Sequence, residues 1–369
     1  MHKLILITFS LFITSCSTLK NLDIKGVKEK ESAFKVIWNK NQDPIHQTGN
    51  LPIALNSPLI HDGILYVGHN QGYMKAYQLD NGKEIWSEYD DGAYHSKPVI
   101  YKDWVIYGNA KGRIFARHSL TGKAEYIVDL DAAIETQGVV YKDRIIFHTR
   151  NHKIFCLDVN TGKILWSYKR SVPYLTTIQR ASKPLVYKDK IYVGFADGQV
   201  GAFSLEEGVI LWERRLSTGN KFVDVDSTPI LFKSSILSGS INGDLVMINP
   251  SSGQIQRRLP YKVSRAPIVY QNQLLVPTIF GEIVVLDKDL IEKKVVNISK
   301  VPVSSIVPWK AGLAVSSVGG EILLLDDVSF QVKERFQLGH AYSGVHGELD
   351  MGENYLAALS SRNRLYIFK

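Results

Sequence analysis

The sequence predicts an all-β protein, an eight-bladed β-propeller whose four-stranded antiparallel blades form a ring closed by the N-terminal strand. The first observation is a repeat of about forty residues along most of the 369-residue chain. The second is that the repeats hold four short strand-like runs separated by turn-forming residues. The third is an unmatched strand-like run near the N terminus, which complements an incomplete repeat at the C terminus. A forty-residue period with four strands per repeat is typical of propellers.

The clearest repeat spans residues 182–212. Two β-prone runs lie on either side of Lys188-Asp189, a third follows the Asp197-Gly198 turn, and a fourth begins after Gly208. Copies of this unit begin near Ser57, Lys97, Gln137, Lys183, Thr228, Ala266, Ser304 and Glu348.

The middle turn of each repeat gives the period. Successive turn positions are 40, 40, 46, 45, 38, 39 and 43 residues apart. Glycine, asparagine and histidine at these positions accept a positive φ angle more readily than most residues, which suits a tight hairpin. The positions are Gly72, Gly112, His152, Gly198, Gly243, Gly281, Gly320 and Asn363.

The two ends of the chain explain how the ring closes. The eighth repeat, residues 349–369, ends after its third strand-like run. Residues 34–38 look like a fourth strand without a repeat of its own. Pairing these two segments completes the eighth blade and removes an open sheet edge.

The N-terminal segment is typical of a lipoprotein signal peptide, residues 1–15. Its apolar run is too short to cross a bilayer as a helix, and it ends in Ile13-Thr14-Ser15-Cys16, which resembles a lipobox. The alternative is an ordinary secretory peptide with an incidental cysteine. We expect lipidation at Cys16, a lipidated tether over residues 16–32 and a single propeller domain over residues 33–369.

The residue after the predicted lipidation site indicates the destination. Ser17 stands where an aspartate would resemble an inner-membrane retention signal. We therefore expect the protein on the periplasmic face of the outer membrane, held there by its lipid anchor.

Composition excludes several classes of function. The chain is 45% hydrophobic and 22% charged, which is typical of a globular protein. Its net charge of +8 is spread over the sequence without a clustered basic run, so we expect no nucleic-acid partner. An acidic partner or anionic headgroups fit this charge better. Cys156, the cysteine left beside the lipidated one, lies in a strand-like run and is expected to be a packed core thiol.

Candidates for catalysis or metal binding are weak. His148 and His152 are four residues apart but lie in a strand followed by a turn, so they do not share one helix face as zinc-binding pairs do. His340 and His346 flank a glycine-containing loop and are expected to be solvated. We expect no catalytic residues, no metal and no cofactor.

A second motif lies at the turn into the fourth strand. Residues 158–166 read Asp-Val-Asn-Thr-Gly-Lys-Ile-Leu-Trp, and residues 80–86 and 208–212 are partial copies. This pattern resembles the repeat of quinoprotein-type propellers, and its tryptophans are expected to cover the next blade. The resemblance raises the alternative of a quinone-dependent dehydrogenase. The resemblance implies that such enzymes have longer chains, a set of calcium-binding Glu, Asn and Asp residues and often a vicinal cysteine pair. This sequence has no cysteine pair, so we expect a protein without enzyme activity.

A more specific resemblance comes from two loops between blades. Residues 224–229, Asp-Val-Asp-Ser-Thr-Pro, are similar to a segment of the BamB family, and residues 175–180 occupy the place of that family's Leu-x-Leu-Arg loop with a one-residue gap. The resemblance implies a scaffold subunit of the outer-membrane β-barrel assembly machinery. Its implied partners are the POTRA domains of a BamA-like barrel-insertion protein, other assembly subunits and, as a further expectation, nascent outer-membrane proteins.

The same two loops stand out from the residues alone. Both join the outer strand of one blade to the inner strand of the next, so they should emerge side by side on one face. Apolar anchors with polar partners are what protein interfaces use. The alternative is that the aspartates cap the turn before Pro229. A propeller that binds another envelope partner or polymer also remains open. The predicted partner-binding residues are Leu175, Ile178, Arg180, Asp224 and Asp226.

Overall fold

The structure is a set of eight four-stranded antiparallel sheets, so the predicted propeller is confirmed. The computed structural model describes residues 32–43, 53–172, 181–219, 221–339 and 343–369. Every regular element within these ranges is a β-strand. The propeller is the unit Ala33–Lys369.

The strands follow the repeats in order. The inner strand has three residues and the outer strand five or six in every blade except blade 7, where both have six. Blade 1 consists of β2 (Leu59–His61), β3 (Ile64–Gly68), β4 (Tyr73–Gln78) and β5 (Glu84–Tyr89), and blade 2 of β6 (Val99–Tyr101), β7 (Trp104–Gly108), β8 (Arg113–His118) and β9 (Ala124–Asp129). Blade 3 consists of β10 (Val139–Tyr141), β11 (Arg144–His148), β12 (Lys153–Asp158) and β13 (Ile164–Lys169), and blade 4 of β14 (Leu185–Tyr187), β15 (Lys190–Gly194), β16 (Gln199–Ser204) and β17 (Ile210–Arg215).

The later blades have the same order, although their sequence motifs are degenerate. Blade 5 consists of β18 (Ile230–Phe232), β19 (Ser235–Ser238), β20 (Leu245–Ile248) and β21 (Ile255–Leu259), and blade 6 of β22 (Ile268–Tyr270), β23 (Gln273–Pro277), β24 (Glu282–Leu286) and β25 (Glu292–Asn297). Blade 7 consists of β26 (Val303–Pro308), β27 (Leu313–Ser317), β28 (Glu321–Leu325) and β29 (Val332–Gln337), and blade 8 of β30 (Asp350–Gly352), β31 (Tyr355–Leu359), β32 (Arg364–Phe368) and β1 (Val36–Asn41).

Burial explains the two kinds of sequence pattern in each blade. The second and third strands are buried on both faces, because each sheet is packed between two neighbouring sheets; all five residues of β3 are buried. The outer strands are more exposed than the middle strands, and β9 and β29 alternate between half-buried and exposed positions throughout. Continuous apolar runs therefore mark the middle strands, and polar or alternating sequences mark the rim.

The ring closes as the sequence predicts, with a small correction. β1 pairs antiparallel with β32, which places the N-terminal strand at the outer edge of blade 8. The strand covers Val36–Asn41 rather than residues 34–38. Phe34 precedes it and is only 4% exposed, because its ring packs among aromatic residues of blades 7 and 8.

Tryptophans of the outer strands join neighbouring blades, as expected. The indole Nε1 of Trp38 donates to the carbonyl of Leu79 at 2.8 Å, and Trp86 does the same to Ser119 at 2.8 Å. Trp166 and Trp212 repeat this bond to the blade that follows each of them. The ring also packs on the glycine of the next turn, where a Cβ at Gly82 would lie 2.7 Å from the Trp38 indole. The glycine of this motif therefore makes room for the tryptophan.

The middle turns agree with the prediction in six blades. Gly72, Gly112, His152, Gly198, Gly281 and Asn363 have positive φ angles. The prediction is wrong at Gly243 and Gly320, which do not adopt this conformation. In blade 5 the chain reverses through bends at residues 241–243 instead of a turn with a left-handed residue.

Replacing Gly82 with alanine is expected to destabilise the fold by about 1–3 kcal/mol more than replacing Gly63, because the new methyl group would overlap the Trp38 indole. Both glycines have a φ of +70°, so both substitutions carry the same backbone strain. Nothing lies within 4 Å of a Cβ built on Gly63. Urea unfolding of the two variants measures the difference; equal losses would show that the indole contact is dispensable.

Candidate partner-binding face

Two loops form the predicted docking face. The first docking loop, residues 171–184, joins β13 to β14, and the second docking loop, residues 216–229, joins β17 to β18. Both connect an outer strand to the next inner strand, so the described ends of the loops lie on the same face as the middle turns. Leu175, Ile178 and Arg180 fall within 173–180 and lie outside the described residues, as does Cys16.

The second docking loop separates its two aspartates. Asp224 is completely buried, whereas Asp226 is partly exposed and lines the mouth of the central channel. The amide of Val225, between them, donates to the carbonyl of Phe195 at 3.0 Å. A Cβ on Gly194 would collide with Val225, so the loop lies tightly against blade 4. The loop therefore buries one carboxylate and leaves the other partly accessible.

A buried ion cluster fixes the start of the first docking loop. The Arg170 side chain is 10% exposed, lies 2.7 Å from the carboxylate of Asp197 and pairs with Glu213. Its guanidinium also lies over the ring of Phe195, 4.7 Å from the centroid. Burial alone would lower the pKa of Arg170, but the bonds to Asp197 and Glu213 reverse this and raise the pKa. The cluster ties the loop to blade 4.

Sequence reasoning missed Arg170, although the repeat contains a signal for it. The amide of Arg170 donates to the carbonyl of the middle-turn residue, His152, as Leu130, Leu216 and Leu338 do in other blades. A charged residue at a position that holds leucine in three other blades indicates a local role beyond the repeat.

Two buried histidines support the end of the same loop. His148 Nδ1 lies 2.8 Å from the carbonyl oxygen of Ser182, so the ring carries its proton on Nδ1 and donates it. The ring of His152 lies 5.4 Å from that of His148, centroid to centroid. Burial lowers the pKa of His148 to about 3 and that of His152 to about 4, so both are neutral near pH 7. Over the described part of the chain, no cluster of three or more metal-ligating side chains is found.

The central channel opens between the inner strands and has a volume of about 620 Å³. A hydrogen-bonded belt lines it: Lys183 donates to Gln137, and Gln137 donates to the carbonyl of Pro98. Lys97 pairs with Asp350, whose other oxygen accepts from the amide of Ile60 at 2.6 Å. Burial lowers the pKa of Lys183, and this effect exceeds the opposing pull of nearby Glu348. The belt links blades 4, 3, 2, 8 and 1 and pairs charges that would otherwise be buried alone.

Comparison with known proteins identifies the family. A family model described as outer membrane protein assembly factor BamB matches residues 35–128 and 119–290, which together cover more than half of the chain. The chain belongs to the BamB family. A BamB of Francisella tularensis is 36% identical over 269 residues, covering 69% of this chain and 58% of the relative. The BamB of Escherichia coli K12 is 31% identical over 214 residues, covering 54% of each chain.

The match to curated BamB proteins is partial along their length. It spans from 27% of the Legionella pneumophila relative to 58% of the Francisella protein. BamB from Moraxella catarrhalis has the same fold, with a TM-score of 0.76 at 18% identity over 91% of this chain and 99% of that one.

The quinoprotein likeness is also visible, at the level of the fold. A europium-containing methanol dehydrogenase superimposes with a TM-score of 0.70 at 12% identity, over 88% of this chain and 84% of the enzyme. The expectation of a non-enzyme is supported by the BamB family, whose named members are assembly factors. Among the described residues, no helix is long and apolar enough to cross a membrane.

Proposed function

We propose that this chain is a non-catalytic scaffold subunit of the outer-membrane β-barrel assembly machinery. It docks the POTRA domains of a BamA-like protein and works beside the other assembly subunits to aid insertion of outer-membrane proteins. The observation that carries the proposal is membership of the BamB family, whose printed description is an outer-membrane protein assembly factor. Lipidation at Cys16 and a place on the periplasmic face of the outer membrane belong to the same proposal.

Docking is assigned to the two docking loops. Arg170 and His148 hold the described ends of the first loop, and Val225 pins the second loop to blade 4. Segments fixed in this way lose little conformational freedom when a partner binds, which favours docking beside them. Leu175 and Ile178 supply apolar anchors and Arg180 a bidentate donor. Asp226 acts as a surface acceptor, whereas buried Asp224 acts by holding the loop in place.

Truncation of the anchors tests this assignment. Each of Leu175→Ala, Ile178→Ala and Arg180→Ala is expected to weaken binding by more than about 1 kcal/mol, or roughly fivefold in Kd. The measurement is calorimetric titration with the purified POTRA region of the BamA-like protein from the same bacterium. Asp226→Ala should weaken binding without changing the melting temperature, and Asp224→Ala should change both.

Matched controls come from the opposite face of the ring. Leu120→Ala replaces a leucine that is 59% exposed in a turn of blade 2, and Asp189→Ala replaces an aspartate whose side chain is 61% exposed in a turn of blade 4. Both controls should bind like the parent. If the five loop variants and their combination also bind like the parent, the docking face is elsewhere. If the parent does not bind the POTRA region, the chain serves another envelope partner.

A further inference from the structure

A basic strip with exposed aromatic rings crosses the docking face over blades 5 and 6. All of its members are exposed; Phe222 is 47% exposed and Phe280 is 60% exposed. The strip consists of Lys221, Phe222, Arg258, Lys262, Phe280 and Lys300.

The strip is continuous from one connection to the next. The carbonyl of Phe222 accepts a hydrogen bond of 2.9 Å from Asn242 in the middle turn of blade 5. Arg258 donates to the carbonyl of Leu216 at 3.2 Å, which joins blade 5 to the second docking loop. The amide of Ile279, next to Phe280, donates to the carbonyl of Lys262 at 3.1 Å. A ligand lying along this rim would therefore meet both rings and the cations between them.

Neither phenylalanine is required by the fold. Phe280 precedes the left-handed glycine of its middle turn, a position that holds Gln71, Lys111, Asn151, Asp197, Asn242 and Arg362 in six other blades. Phe222 has a φ of +52°, a conformation that is strained for a bulky side chain. Strain of this kind is concentrated at functional sites. An exposed ring kept at such a cost to stability is better explained by binding than by packing.

Positive charge on the strip is poorly compensated. Within the part of the chain that the structure describes, Lys221, Lys262 and Lys300 form no ion pair, and Arg258 lies 3.8 Å from Asp244. Blade 2 differs on the same face, because its cations are paired. Lys111 lies 2.7 Å from Asp91, and Arg113 lies 3.5 Å from Asp129. The strip therefore attracts anionic groups, while blade 2 is locally balanced.

We propose that the strip binds an acidic polypeptide segment that carries apolar side chains, with carboxylates on the lysines and arginine and apolar groups on the two rings. A polypeptide is favoured over a lipid surface because Phe222 lies four residues from Asp226 in the second docking loop. A bilayer lying against the strip would also cover the docking face. The inference goes beyond the proposed function, since it concerns residues other than the five predicted docking residues and has its own ligand chemistry.

The test uses the mature chain and a short fluorescein-labelled peptide rich in glutamate and leucine, followed by fluorescence anisotropy. The parent is expected to bind this peptide, more weakly at high salt, and to ignore the counterpart with lysine in place of glutamate. The double variant Lys262→Glu, Lys300→Glu should bind roughly tenfold more weakly, and Phe280→Ser roughly fivefold more weakly. Phe222→Gly removes the ring and relieves the backbone strain, so peptide binding should fall while stability does not.

Lys111→Glu is the matched control, because it reverses an equally exposed lysine on the same face. It should leave peptide binding unchanged. Equal binding of the two peptides, or parent-like binding by the strip variants, would overturn the proposal. Preferential binding of phosphatidylglycerol vesicles through the strip would overturn it in favour of a lipid surface. The assay omits the BamA-like protein, so its outcome is independent of the docking test.

Discussion

Replacing Asp90 with alanine is expected to lower the free energy of unfolding by about 3 kcal/mol, because the change leaves a buried guanidinium without its carboxylate. The side chains of Asp90 and Arg117 are 1% and 8% exposed and form an ion pair across 27 residues of sequence. Glu88 remains within 3.3 Å of Arg117 but is 39% exposed, so it compensates only partly. Denaturant unfolding measures the loss.

Two tyrosines increase the expected cost. The hydroxyl groups of Tyr94 and Tyr107 donate to Asp90 at 2.6 and 3.0 Å. Burial, together with neighbouring Asp90, raises the pKa of each tyrosine, so both remain neutral donors. Removing the carboxylate leaves these buried hydroxyl groups without that acceptor.

The repeat itself supplies the control for this prediction. Asp90 occupies the position that holds Leu130 and Leu216 in other blades, and the position of Arg117 holds Leu157 in blade 3. The double variant Asp90→Leu, Arg117→Leu should therefore recover the part of the loss that comes from the unpaired guanidinium, since an apolar pair can replace a buried ion pair, but not the part that comes from the two tyrosines.

The neighbouring aspartate provides a second comparison. Asp91→Ala removes an aspartate whose side chain is 54% exposed, and we expect a much smaller loss of stability. A loss at Asp90 no larger than the loss at Asp91 would mean that the buried cluster contributes little.

Replacing Phe34 with alanine is expected to destabilise the closed ring by about 3–5 kcal/mol, the usual cost of removing a buried aromatic side chain. Its ring lies 5.4 Å from Trp309 and 5.5 Å from Phe368, centroid to centroid. These residues belong to the core shared by blades 7 and 8. The cavity left by the ring would loosen the segment that leads into β1, which completes blade 8.

Alanine substitution of an exposed phenylalanine is the control, because it removes the same side chain without removing a buried one. Phe280→Ala removes a ring that is 60% exposed, so stability should change by no more than about 0.5 kcal/mol. Thermal melting and limited proteolysis of both variants provide the measurement. Early cleavage near the N-terminal strand should accompany the loss at Phe34. Equal stability of the two variants would show that Phe34 does not secure the closure.

The repeats were predictable because their signals are local. A buried middle strand needs a short apolar run, and a hairpin needs residues that tolerate its backbone, so both leave a pattern that recurs with each blade. The exceptions are small. Gly243 lies in a bend without a left-handed conformation, and the first strand begins at Val36, two residues after the buried Phe34.

Contacts between distant residues were not predictable in the same way. Nothing in the neighbourhood of Asp90 shows that Arg117 reaches it, although both replace residues that are apolar elsewhere in the repeat. The two aspartates of the second docking loop look equivalent in sequence, yet one is buried and the other lines the channel. Exposure of Phe222 and Phe280 likewise depends on how neighbouring blades pack.

The number of blades, the strands in each blade, the closure of the ring and the resemblance to the BamB family follow from the sequence, because each depends on a pattern repeated or contained within a short segment. Which polar residues come together and which remain on the surface depends on the three-dimensional packing. Arg170 and Asp197, for example, meet across two blades. That outcome depends on the stacking of neighbouring sheets, which brings together residues that no local pattern connects.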